Sequence, residues 1–102
     1  MAEKFPEHII QMYQNRLKET DHLLTQICDP SEKISPEIYQ QLKTEIHKLV
    51  GVSGYFEDSQ VALEGRFLDQ LLKQSGNIPD SDTRTQLLTF QSTLARSTYF
   101  QL

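Results

Sequence analysis

Four stretches of this chain carry apolar residues at three- and four-residue spacing, and turn-forming residues separate them. That pattern limits the fold more than any other feature. Ile9, Tyr13, Leu17, Leu24 and Ile27 line one face of a run from Pro6 to Cys28. Pro6 suits a helix start, because the N–H it lacks would have no partner inside the helix. Asp29-Pro30-Ser31 ends the run, since a residue before proline is pushed out of the helical region. The second run opens at Ser35-Pro36, a capping serine followed by a proline at the first helical position, and extends to about Phe56. The third begins near Asp58, carries Val61, Gly65, Leu68 and Leu72, and stops at Ser75-Gly76-Asn77. The fourth starts at Asp80 to Asp82, whose carboxylates complement the positive end of a helix, and carries Leu87, Phe90, Leu94 and Thr98. Tyr99, Phe100 and Leu102 are expected to close the end of the core.

No run alternates apolar and polar residues, so no strand is expected. The expected helices are 6–28, 36–56, 58–75 and 81–100. Joined by short connections, they predict an all-α protein, an antiparallel four-helix bundle in up-and-down order. A length of 102 residues suits one domain.

Composition removes several classes of function. A net charge of −4 without a basic stripe argues against nucleic acid as a partner. Cys28 is the one cysteine, so an internal disulfide is impossible and the thiol is expected to be a small apolar group near a helix end. The N-terminal MAEKFPEHII has no long apolar run, so neither a signal peptide nor a membrane span is expected. A cytoplasmic location follows as an expectation. HExxH, GxSxG and phosphate-cradling glycine loops are all missing from the sequence, so no independent catalytic site is expected.

The second run contains the stretch IHKLVGVSGYF, in which His47 precedes Gly51 and Gly54. A glycine inside a helix costs about 1 kcal/mol relative to alanine. On a helical wheel with Ile38 at zero, the apolar residues Leu42, Ile46, Leu49, Val52 and Phe56 centre at about 20°, and His47 falls at about 180°. Lys43, Gly51 and Gly54 share its outer half. The glycines therefore clear space around an exposed imidazole rather than let core helices approach. A metal site would need a ligand three or four residues on, where Val50 and Gly51 stand. A lone imidazole can still act as a nucleophile when a partner supplies the rest of the chemistry. His8 and His22 have no comparable surroundings and read as ordinary surface residues.

His47-Lys48-Leu49-Val50-Gly51-Val52-Ser53-Gly54-Tyr55-Phe56 resembles the signature of histidine-containing phosphotransfer (HPt) domains: histidine, leucine two on, glycine four on, small residues next, and phenylalanine nine on. Val61, Gly65 and Leu68 resemble the family's apolar and small positions in the next helix, and Asp69 falls where the family often has Glu or Gln. Two positions depart from the pattern. Val50 stands where many members have lysine, and Glu57 stands where the family has a glycine at the turn out of the helix.

The resemblance implies a phosphorelay intermediate in two-component signalling. His47 would accept a phosphoryl group from the aspartyl phosphate of a response-regulator receiver domain and pass it to another. Such a protein has no cofactor of its own, because the Mg²⁺ belongs to the receiver. It implies receiver domains as partners, with a hybrid histidine kinase as a further candidate, and a monomer as the resting form. Asp69 would hold the second ring nitrogen, Lys43 and Lys48 would lend charge, and Gly51 and Gly54 would keep the docking face clear. The alternative is a helical module that docks a regulator or kinase without transferring anything.

Overall fold

The computed structural model describes residues 5–29 and 33–102, and these form four helices: α1 (Glu7–Cys28), α2 (Pro36–Ser53), α3 (Ser59–Lys73) and α4 (Ser81–Arg96). Local chemistry sets their ends. Ser35 takes an extended conformation and its Oγ accepts from the Ile38 N–H at 3.3 Å, with Pro36 at the first helical position. Asp80 caps α4, its Oδ1 accepting from the Thr83 N–H at 2.8 Å. Pro6 stands just before α1 as its N-cap. Asp29 leaves α1 with φ −70° and ψ 115°, as a residue before proline should; the Pro30-Ser31 part of that stop lies outside the described residues.

The exit from α2 keeps its form without a glycine. Phe56 N–H still reaches Val52 O at 3.3 Å, so helical turns continue past Ser53. Glu57 then adopts φ 58°, the left-handed region. Its N–H bonds Gly54 O at 3.1 Å and the Asp58 N–H bonds Ser53 O at 3.0 Å. These two bonds are those of a Schellman cap, in which glycine is the usual occupant of the left-handed position.

Helices consecutive in the chain pack side by side, and α4 closes against α1; among the described residues the backbones of the diagonal pairs stay apart. With short connections this is an antiparallel four-helix bundle in up-and-down order, 42 × 24 × 20 Å along its axes. The core holds Tyr13, Leu17, Leu24 and Ile27 from α1, Leu42, Ile46 and Leu49 from α2, Val61, Leu68 and Leu72 from α3, and Leu87, Phe90 and Leu94 from α4. At one end of the bundle, the rings of Tyr13 and Phe56 stack at 4.3 Å and Phe5 and Tyr99 pack against Phe56. Asp58 Oδ2 accepts there from the hydroxyls of Tyr13 and Ser97, each at 2.7 Å, which joins α1, the α2–α3 turn and the end of α4.

Several expectations need correction. Ile9 is only half-buried, while Leu23 and Thr20 complete the buried face of α1. Helix α4 stops at Arg96 and does not reach residue 100, because Ser97 turns extended with ψ 135°. Thr98 is exposed, and Ser97 is buried in its place by the hydroxyl bond to Asp58. Tyr99 and Phe100 pack against the core as expected, but Leu102 is exposed. Helix α3 ends at Lys73, with Gln74 and Ser75 N–H groups closing the last turn onto Leu71 and Leu72. Among the described residues no helix is long and apolar enough to cross a membrane.

Candidate functional site

The buried residues of α2 are Tyr39, Leu42, Ile46, Leu49 and Ser53. They centre at about 60° on the wheel used above, about 40° nearer His47 than the apolar pattern predicts. Tyr39 and Ser53 cause the shift, and Ile38 and Val52 are only half-buried. His47 therefore sits on the shoulder of α2 that faces α3, not at the summit of the exposed face. Its side chain remains 65% exposed.

The shoulder brings the imidazole to Asp69 of α3, 22 residues away in sequence, with His47 Nδ1 3.1 Å from Asp69 Oδ2. Only 12% of the Asp69 side chain is exposed. Close approach of the two helices makes this contact possible. Gly65 lies one turn before Asp69 and Val50 about one turn after His47. A Cβ on Gly65 would lie 3.0 Å from Val50 Cγ2 and 3.4 Å from Phe90 Cζ, so the absence of a side chain there lets α2, α3 and α4 close together. Val50 is thus a packing residue against α3, which accounts for an apolar side chain three after the histidine.

The carboxylate can only accept, so Nδ1 carries the hydrogen, and in the neutral ring Nε2 then carries the lone pair. Nε2 has no hydrogen-bond partner among the described residues. An imidazole in this tautomer, on a side chain 65% exposed, has an unbonded nitrogen that can act as a nucleophile. The ring borders a concavity of about 350 Å³ lined by Gln40, Lys43, Thr44, His47, Asp69, Leu72 and Lys73.

The other predicted residues take different places. Lys43 lines the same concavity, but its ammonium is engaged: it donates to Gly76 O at 3.0 Å and Ser75 O at 3.5 Å, and lies 4.8 Å from the Tyr39 ring centre. It closes the α3–α4 connection. Lys48 points to the opposite side of α2, into a groove toward α1 with Glu19 and Leu23. Gly51 and Gly54 have negative φ, and a Cβ on either would meet nothing within 4 Å. Neither packing nor backbone geometry requires a glycine at these two positions, which carry no side chain on the outer half of α2 that His47 shares.

Sequence reasoning missed Lys73. Its Nζ lies 3.6 Å from the same Asp69 Oδ2 that holds His47. The signal was available, because Lys73 follows Asp69 by four residues and must share its helix face. Among the described residues, no group of three or more His, Cys, Asp or Glu could hold a metal ion. Comparison of the chain with protein-family models, with curated proteins and with solved structures finds no match.

Proposed function

We propose that this protein is a phosphocarrier of the histidine-containing phosphotransfer type, a relay between receiver domains in the cytoplasm. One observation carries the reading: an exposed imidazole whose Nδ1 is held by a nearly buried carboxylate at 3.1 Å, leaving Nε2 open beside two glycines that nothing in the fold demands. The resemblance of residues 47–56 to the family signature supports it independently.

On this reading a receiver docks over the face of α2 that carries His47, Gly51 and Gly54. The Nε2 lone pair forms the new N–P bond as the P–O bond to the receiver's aspartate breaks, and the electron pair leaves with that carboxylate. No proton needs to move, because Nδ1 keeps its hydrogen. The imidazole becomes positively charged, and the Asp69 carboxylate balances that charge across the existing hydrogen bond. Alignment and charge neutralisation dominate such transfers, and the receiver's Mg²⁺ supplies much of the second.

The test is transfer from phosphorylated receiver domains in the presence of Mg²⁺. Acid-labile, base-stable label on the wild-type protein, absent in His47→Gln, is the expected result. Asp69→Asn keeps an acceptor but loses the charge, and is expected to slow labelling about tenfold, the equivalent of one charged hydrogen bond. Docking of receivers without any label on His47 would replace the relay by a non-transferring interaction module.

A further inference from the structure

His47 and Asp69 account for the ring but not for the group it would carry. A phosphoryl group brings close to two negative charges at neutral pH. Lys48 faces the groove toward α1 and is on the wrong side. Lys43 is tied to the α3–α4 connection by two bonds, to the Ser75 and Gly76 carbonyls, and by its place over the Tyr39 ring. Lys73 differs from both. Its ammonium already stands at the shared carboxylate, 3.6 Å from Asp69 Oδ2, and its side chain is 63% exposed. An exposed pair between residues four apart on one helix is weak, so the ammonium is free to move.

We infer that Lys73 is the cation that neutralises a phosphoryl group on His47, an inference that rests on the phosphocarrier reading above. In the unmodified protein, Lys73 and His47 share one carboxylate oxygen. As Nε2 forms its bond to phosphorus, negative charge enters the concavity that Lys73 lines. The ammonium turns from the carboxylate toward the phosphoryl oxygens, and Asp69 is left to balance the charged imidazole. The single carboxylate thus serves both the lysine and the ring before transfer, and the ring alone after it. The cation comes from α3, which explains how α2 can carry Val50 as a packing residue.

Phosphoramidate tests this without a receiver. Its P–N bond breaks as ammonia leaves, and the phosphoryl group passes to the histidine. Wild type, Lys73→Gln, Lys73→Arg and Lys43→Gln are treated alike, with His47→Gln to assign the modified site and circular dichroism to confirm the fold. Loading is followed by mass spectrometry, and the phosphoryl group is titrated by ³¹P NMR. A neighbouring cation favours the doubly charged phosphoryl form. Lys73→Gln is therefore expected to raise the phosphoryl pKa by about one unit and to slow loading about tenfold. Lys73→Arg should restore both, and Lys43→Gln should change neither. A merely structural lysine would leave the titration unmoved. Equal pKa and loading in wild type and Lys73→Gln, or the same shifts in Lys43→Gln, would overturn the role of Lys73 and leave the carrier reading intact. Failure of wild type to load at His47 would overturn both.

Discussion

Three glycines in this bundle should answer the same substitution with opposite signs. Gly51 and Gly54 have helical or near-helical backbones, Gly54 at φ −64° and ψ −38°, and a Cβ on either meets nothing within 4 Å. Replacing them with alanine removes backbone freedom from the unfolded chain and strains nothing. Each change should stabilise the fold by about 0.5–1 kcal/mol. Gly65 has the same propensity to gain, about 1 kcal/mol. Its Cβ, however, would stand 3.0 Å from Val50 Cγ2 and 3.4 Å from Phe90 Cζ. A β-branched side chain in a helix has one strongly preferred rotamer, so Val50 cannot turn aside freely. Phe90 is only 2% exposed and is hemmed in by the core. Overpacking of this kind costs about 1–3 kcal/mol, so the net effect of Gly65→Ala should be a loss of about 1 kcal/mol. Urea unfolding followed by far-ultraviolet circular dichroism reads all three. At this size 1 kcal/mol corresponds to roughly 4–8 °C in Tm. A rise in stability for Gly65→Ala equal to that for Gly51→Ala would refute the close-approach argument. A fall for Gly51→Ala would show that the fold itself requires that glycine. If the pair keeps the docking face clear, Gly51→Ala and Gly54→Ala should also slow receiver-dependent labelling of His47 while raising stability.

Further outcomes concern the ends of the bundle. Tyr13→Phe removes one of the two 2.7 Å hydroxyl bonds to Asp58 and should cost about 1.5–3 kcal/mol, read as a lower urea midpoint. An unchanged midpoint would mean that water satisfies Asp58 equally well. The Asp80 carboxyl is held below its ordinary value by the Thr83 backbone N–H and then by the Thr83 hydroxyl. A lowered folded value means that the unfolded chain binds more protons as pH falls. The contribution of this cap is therefore present above the ordinary aspartate range and lost as pH drops through the depressed value. The stability gap between wild type and Asp80→Asn should narrow across that acidic window, measured by urea unfolding at a series of pH values; a gap that stays constant would refute the cap's charge dependence.

What the sequence alone determined here is local. The stripes at Tyr13–Ile27, Val61–Leu72 and Leu87–Leu94 are buried, because helical period decides which side chains share a face. Ser35-Pro36 and Asp80 start helices, because a cap is made within one turn. The exposure of His47 was legible for the same reason. Tertiary structure decided the rest. Thr98 was expected inside and Ser97 is there instead, because a carboxylate 39 residues away in the chain draws its hydroxyl inward. Asp69 meets His47 because Gly65 lets α3 approach Val50, a distance that no periodicity encodes. Lys43 and Lys73 lie on opposite walls of one concavity. Backbone carbonyls at the end of α3 hold the first, and the site's own carboxylate holds the second. A wheel orders residues around one helix, whereas which charges meet depends on how two helices are rotated and spaced. Packing across the whole core sets that.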